Sequence, residues 1–230
     1  MRGSRMQVWE KECRLHVGAE AVVDAGLWLG RPAVRKERRP RAWRHPDLDA
    51  RLTKSRMTAE ARILQRLTIA GLPVPHVLAL DMGSGWMVQE RRPGRPLIEC
   101  LRDHAAAASI PEMLGAAGTA IRNLHAQGAA HGDLTTNNLL WDPTSGISLI
   151  DFGLARWTTE VERFGIDLQV LHECLSASHP EHADAMEQVL SGYSTADTSG
   201  VVDHAAEQLA SAAEVLSRFE QIRARVRYHG

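Results

Sequence analysis

Asp133 and Asn138 stand five positions apart in the run His131-Gly132-Asp133-Leu134-Thr135-Thr136-Asn137-Asn138. A second carboxylate, Asp151, opens Asp151-Phe152-Gly153 directly after the apolar pair Leu149-Ile150. Two carboxylates and an amide in this order can carry out phosphoryl transfer. An Asp can take the proton of an attacking hydroxyl or orient a water, while an Asn five residues on turns back to hold a magnesium ion. Magnesium keeps water and phosphate oxygens around it, so one carboxylate and one amide oxygen suffice when a nucleotide brings the rest. Asp133 is therefore read as the catalytic carboxylate and Asn138 and Asp151 as the metal ligands, with ATP and Mg2+ as cofactors. Either Asp133 or Asn138 alone would be satisfied by a turn, because both residue types bond to nearby backbone. Turns do not explain both motifs, in order, separated by the apolar pairs Leu139-Leu140 and Leu149-Ile150 with turn residues Asp142 and Gly146 between them.

Such a centre needs further parts upstream. The protein-kinase pattern places a Lys on a strand, where it contacts the nucleotide phosphates and pairs with a Glu on the next helix. Lys36 ends the strand-like run Pro32-Ala33-Val34-Arg35-Lys36. Residues 53–67 carry apolar side chains at Met57, Ala61, Leu64 and Leu67, a helical period that leaves Glu60 near the same face. Lys36 and Glu60 are expected to form an ion pair and to join Asp133 in the catalytic set. A glycine-rich phosphate loop would precede the strand, and the candidate is Gly18-Ala19-Glu20-Ala21-Val22-Val23, with one glycine of the usual three. Gly18, Ala19, Glu20 and Val23 are counted as nucleotide contacts, although a plain hairpin turn explains Gly18 equally well. Trp86-Met87-Val88-Gln89-Glu90 reads as a strand entering a hinge, where Gln89 and Arg91 would offer backbone groups to adenine. Leu140 completes the nucleotide set.

The fold class expected is α+β, a protein-kinase-like two-lobed fold with a small β-rich N-lobe and a truncated helical C-lobe. One domain spans residues 1–230, divided into an N-lobe (1–88), a reduced C-lobe (89–217) and a basic tail (218–230). Regulated kinases carry Arg before the catalytic Asp, where it binds a phosphorylated activation loop. Here that position is Gly132, and the chain reaches Gly165-Ile166-Asp167-Leu168 without an Ala-Pro-Glu segment. Only about a third of the chain follows Asp-Phe-Gly, too little for a full substrate platform.

These residues resemble the small atypical kinases of the KEOPS complex, also called the p53-related protein kinase family. The marks are the degenerate loop Gly18-Ala19-Glu20-Ala21, the run Trp43-Arg44-His45-Pro46-Asp47-Leu48-Asp49, the catalytic run at 131–136, the short interval from Asp151 to Asp167, and a basic tail. The resemblance implies an ATPase with serine/threonine kinase activity that supports N6-threonylcarbamoyladenosine formation on tRNA. It also implies a threonylcarbamoyl transferase subunit and other KEOPS subunits as partners. Departures are the basic hinge Gln89-Glu90-Arg91-Arg92 and a long alanine-rich helix expected over residues 201–222. The alternative is a small-molecule phosphotransferase of the aminoglycoside or choline kinase type, which shares the His-Gly-Asp loop and Asn but replaces Asp-Phe-Gly. A silent binding module would be expected to have lost the Lys, Asp or Asn.

The 230 residues, 44% hydrophobic with net charge −1, suffice for a small two-lobed domain. The apolar runs are short and broken by charge, with no signal-peptide core at the N-terminus, so a soluble protein with no membrane partner is expected, cytoplasmic and, in a eukaryote, also nuclear. Cys13, Cys100 and Cys174 are odd in number and widely spaced, which argues against a disulfide framework and leaves them as packing residues. From Arg31 to Arg56, ten Lys or Arg face three acids, and Arg223, Arg225 and Arg227 crowd the tail. Both patches fit tRNA, the tail as an extended or disordered arm, and both fit plain solvated faces. In the expected C-terminal helix, Val202, Ala205, Ala206, Leu209, Ala213, Leu216 and Phe219 form a stripe that packs on its own lobe or on a partner.

Overall fold

The computed structural model describes residues 8–18, 21–39, 41, 43–103, 108–198 and 209–229. The chain forms two compact units, one built on Met1–Gln65 and Pro75–Arg92, the other on Arg66–Val74 and Pro93–Gly230.

The first unit is a five-stranded sheet with a helix. Strands β1 (Trp9–Val17), β2 (Ala21–Trp28), β3 (Arg31–Arg38), β4 (Val77–Asp81) and β5 (Trp86–Glu90) pair antiparallel in the order β1-β2-β3-β5-β4. Leu29 and Gly30 both adopt positive φ (50° and 77°), which makes the two-residue β2–β3 turn one whose twist suits a hairpin. Between β4 and β5 the Asp81 carboxylate accepts the N–H groups of Gly83 and Ser84 (2.8 and 2.9 Å). β1 is an edge strand, exposed along nearly its whole length and interrupted by two register shifts that blunt it as a pairing template. Cys13 lies on this exposed edge, so it is not a packing residue; Cys100 is buried, and Cys174 is half-buried beside Thr136. Helix α1 (Pro46–Ile69) starts seven residues before the expected helix, with Asp47 and Asp49 in its first turn and Arg66 in its last, each sign matched to the helix dipole. Met57, Glu60 and Leu64 point to its buried side.

The second unit is mainly helical. Strands β6 (Arg95–Pro96), β8 (Leu139–Asp142) and β9 (Gly146–Leu149) form one small sheet, and β7 (Ala129–Ala130) pairs with β10 (Arg156–Trp157). Helices α2 (Leu97–Arg102), α3 (Ile110–Ala126), α4 (Val161–Ser178), α5 (Ala185–Thr198) and α6 (Ala212–His229) complete it. Its core holds Leu114, Ile121, Leu124, Phe164, Leu168, Leu171, Val189, Tyr193, Val215 and Phe219. α3 and α5 cross so closely that a side chain at Gly118 would enter the Val189 carbonyl and one at Gly192 the Gly115 carbonyl.

The C-terminal helix differs from the sequence expectation. Leu209, Ala210 and Ser211 are not helical, and α6 begins at Ala212. The reason is a capping box: the Ser211 hydroxyl and N–H both meet the Glu214 carboxylate at 2.8 Å, and Glu214 N–H returns to the Ser211 hydroxyl at 3.3 Å. The buried stripe is Ala212, Val215 and Phe219; Ala213 is exposed, and Val202, Ala205 and Ala206 lie outside the described residues. The tail is no extended arm, because α6 continues to His229. At 100° per residue Arg225 then faces away from Arg223, and the side chain of Arg227 lies outside those described.

Candidate phosphotransfer site

In the second unit, the residues from His131 to Asp151 fold onto one another through local hydrogen bonds. The Asn138 side-chain nitrogen donates to the Asp133 carbonyl (2.8 Å) and to the Asp133 carboxylate (3.3 Å). With the amide nitrogen so committed, the amide oxygen is the end of the side chain left to accept or to ligate. The backbone N–H of Asp133 donates to Nδ1 of His131 (3.3 Å), which places the imidazole proton on Nε2, and Nε2 donates to the Ile150 carbonyl (3.0 Å). The buried His131 ring therefore ties the Asp133 loop to the residue just before Asp151, and it leans on Phe152 with ring centroids 4.9 Å apart. Ile150 N–H donates to the Asn138 carbonyl (3.0 Å), a second tie between the same two segments. Asp151 is exposed and holds φ at 61°, a left-handed conformation that side chains other than glycine seldom adopt and that concentrates at functional positions.

Asp167, quoted from the sequence only as the end of a short interval, anchors this loop. It sits on α4, 1% exposed, and its two oxygens accept the N–H groups of His131 (2.6 Å) and Gly132 (2.8 Å). His125 on α3 reaches the same carboxylate through Nε2 (3.3 Å), and its Nδ1 meets the Tyr193 hydroxyl at 2.8 Å. Burial pushes the His125 pKa down, so the ring is neutral and donates from Nε2 while accepting from Tyr193. Burial works to raise the Asp167 carboxyl, but the hydrogen bonds from His125 and Gly132 outweigh it and hold the group below its ordinary value. Asp167 is thus an anion satisfied by N–H donors. Arg122, also on α3 and fully buried, gives Nε to Asp197 (2.6 Å), whose other oxygen accepts Ala212 N–H at the start of α6 (2.6 Å).

Gly132 has φ 80°, and a Cβ there would stand 2.5 Å from the Leu154 carbonyl oxygen. The chain beyond Asp-Phe-Gly thus leaves no room for a side chain at the position where the kinase pattern carries Arg. Pairing of Arg156 with Ala130 and Trp157 with Ala129 keeps that chain in place, as does the Arg66 guanidinium 4.0 Å from the Trp157 ring centroid.

In the first unit, Lys36 Nζ lies 3.0 Å from Glu60 Oε1, the pair expected from the sequence. Glu60, 1% exposed, has two further donors: Arg38 at 3.1 Å and the Gln89 side-chain nitrogen at 3.4 Å. Arg38 escaped the sequence reading, although it stands two residues beyond Lys36 on one face of β3, where strand alternation places it. Gln89 is buried within β5, opposite Val34 and Val77, with its side chain toward Glu60. Arg91 was expected to offer its backbone to adenine, but its N–H donates to the Pro32 carbonyl (3.2 Å). Gly18 closes the β1–β2 hairpin with an N–H bond to the Ala21 carbonyl (2.9 Å), the turn role weighed for it, and Val23 lies within β2 opposite Lys36. Ala19 and Glu20 lie outside the described residues. In the second unit, Leu140 is half-buried on β8 opposite Ser148.

Among the described residues no group of three or more His, Cys, Asp or Glu could hold a metal by itself. Asn138 and Asp151 offer only hard oxygens, which suits a magnesium ion completed by phosphate and water. No helix among the described residues is long and apolar enough to cross a membrane.

The family model described as lipopolysaccharide kinase (Kdo/WaaP) matches residues 31–193, a span that runs from β3 into α5 and leaves out Gly18 and the α6 arginines. A Chaetomium globosum protein named EKC/KEOPS complex subunit BUD32 is 36% identical over 200 residues, covering 73% of this chain and 75% of that protein. The Mus musculus protein named EKC/KEOPS complex subunit Tp53rkb is 36% identical over 187 residues, 76% of this chain and 75% of its own. A Methanothermobacter thermautotrophicus protein named "Probable bifunctional tRNA threonylcarbamoyladenosine biosynthesis protein" is 34% identical over 212 residues, and the chain spans 36% of its length. With the kinase-family model matched over most of the chain and the Chaetomium and mouse proteins each covered to 75% of their length, the chain belongs to the Kdo/WaaP kinase family, in the group of small KEOPS kinase-like proteins that includes BUD32 and Tp53rkb.

Proposed function

We propose that the chain is an ATP-dependent serine/threonine kinase and ATPase subunit of a KEOPS-type assembly that supports N6-threonylcarbamoyladenosine formation on tRNA. Its partners would be a threonylcarbamoyl transferase subunit, other KEOPS subunits and tRNA, acting in the cytoplasm and, in a eukaryote, also in the nucleus. The observation that carries the catalytic part is the Asn138 amide nitrogen bound to Asp133 while His131 ties that loop to Ile150. With its nitrogen on Asp133, Asn138 has its amide oxygen left to act as a hard ligand, and the Asp151 carboxylate would be the second. Asn138 and Asp151 would hold magnesium, which when bound with ATP neutralises charge on the phosphate oxygens. Asp133 orients the attacking water or hydroxyl and takes its proton. Lys36, held by Glu60, steadies the phosphates.

The tRNA part is supported by the relatives' names and by the basic residues. In α6, Arg225 is exposed, whereas Arg223 is held by Glu220 (3.1 Å) and lies over the Phe219 ring. Replacing Arg223, Arg225 and Arg227 together should weaken tRNA binding and flatten its salt dependence; an unchanged slope would remove the tail from the interface.

The test is magnesium-dependent ATP hydrolysis by the purified chain, alone and with the transferase subunit and tRNA, with Asp133→Ala as control and small hydroxylated acceptors alongside. Hydrolysis that rises with partner and tRNA and disappears in the control supports the proposal. Phosphate transferred to a small acceptor instead would move the chain to the small-molecule phosphotransferases, a reading that the relatives' names do not favour.

A further inference from the structure

Trp43 is the most exposed large aromatic side chain among the described residues, at 73% of its surface. One exposed apolar residue is ordinary on a protein surface. This one is built into place. Asp49, in the first turn of α1 and mostly buried, accepts the Arg41 N–H through one oxygen (3.2 Å) and meets the Arg44 guanidinium through the other (3.4 Å). Arg44 N–H donates to the Arg41 carbonyl (3.0 Å), and Asp49 N–H to the His45 carbonyl (3.0 Å). A buried carboxylate thus shapes the connection between β3 and α1 while Trp43 stands out from it. The Arg44 and Arg41 guanidinium carbons lie 4.5 and 5.6 Å from the Trp43 ring centroid. From Arg38 to His45 the chain has four arginines and no acid.

We infer that this connection is a stacking site for an unpaired RNA base, with Trp43 as the platform and Arg41 and Arg44 as its phosphate and cation–π partners. The inference rests on the tRNA reading above and names a surface for it. Aromatic faces and guanidinium planes are what splayed-out bases stack on, and clustered arginines follow the backbone beside them. Two guanidinium groups beside the ring, in a run of four arginines with no acid, favour a polyanion over a neutral protein surface. An acidic peptide would use the charge but not the flat ring.

The test uses the full chain with a short oligouridine, the same oligomer without bases, and tRNA, across a salt series. Trp43→Ala should weaken oligouridine binding about tenfold with the salt slope unchanged, and Trp43→Phe should restore most of it. The baseless oligomer should bind wild type and Trp43→Ala alike. Arg41→Gln with Arg44→Gln should lower the slope by about 1.4, the contribution of two single-strand phosphate contacts. Thermal melting and ATP hydrolysis should be unchanged in Trp43→Ala. Equal oligouridine affinity in wild type and Trp43→Ala overturns the inference, as does equal loss on the baseless oligomer, or Trp43-dependent binding to anionic vesicles in place of RNA. Wild-type tRNA binding that ignores Trp43 sinks this surface alone; ATP hydrolysis that ignores partner and tRNA sinks the functional reading beneath it.

Discussion

The two halves of the proposed catalytic machinery are held by different means. In the helical unit, one buried carboxylate, Asp167, takes two backbone N–H groups of the loop that carries Asp133, and a neutral His125 supports it. In the sheet unit, Glu60 takes side-chain donors among the described residues, Lys36, Arg38 and Gln89. Backbone anchoring sets where a loop lies and makes the anchor part of the fold. Side-chain anchoring sets where a charge lies and leaves the strand and helix to stand on their own hydrogen bonds and buried apolar faces. The anchor of the first half should therefore be read out mainly in stability, and the anchor of the second mainly in turnover.

That contrast can be broken or sharpened by substitution. Asp133→Asn should leave the melting temperature near wild type and cost about 10²–10⁴-fold in ATP turnover, the range for a lost general base; steady-state hydrolysis beside a thermal melt checks it. Asp167→Ala strands the buried His131 N–H and His125 and frees the Gly132 N–H, so urea unfolding should show a loss of about 3–5 kcal/mol, the penalty for breaking a buried charged network. Should Asp167→Ala keep its stability and lose only activity, the distinction between the two anchors fails. Glu60→Gln should lower turnover about 10- to 100-fold, the worth of a charge-assisted bond at Lys36, with a smaller loss in urea stability. Arg38→Met should move the same readouts less, because Lys36 and Gln89 remain on Glu60. Gly132→Ala, forced to keep φ near 80° against the Leu154 carbonyl, should cost about 1–2 kcal/mol in urea and reduce turnover with it.

The pH dependence separates the halves more gently. The folded-state pKa of His125 is lowered, so its contribution to stability is complete above the ordinary histidine value near 6.5 and is lost progressively as pH falls below it. His179, also lowered by burial, acts in the same direction. Asp167 is lowered as well, so its share is present above about 3.8 and disappears only at more acid pH. Melts between pH 7 and 5 should show a decline that flattens in His125→Gln; an identical slope in that variant would take His125 out of the acid limb.

Much of the site was legible because its chemistry is local. The β8–β9 hairpin follows from two apolar pairs and a turn, and the Asp142 carboxylate accepts the Thr144 and Ser145 N–H groups as such a turn requires. The Lys36–Glu60 pair followed from the kinase order of a strand Lys before a helical Glu, and strand alternation past Lys36 would have found Arg38 as well. Polar Arg122 and His125 interrupt the apolar stripe of α3, a signal of buried pairing, but the stripe does not name a partner. Ser211 and Glu214 spell a capping box that alanine-rich helical periodicity on both sides concealed.

What the chain determines by itself is the order and spacing of Asp133, Asn138 and Asp151, since residues a few positions apart meet through hydrogen bonds that short segments form alone. What only the tertiary structure decided is who holds them. Asp167 reaches His131 across 36 positions and His125 reaches Tyr193 across 68, because α3 packs along α5 and α4 passes beside β7 at the head of the loop. Likewise the Leu154 carbonyl, not a side chain, fills the space against Gly132. A buried polar group must find a partner, and which one it finds is set by how helices pack, which periodicity along one helix does not encode.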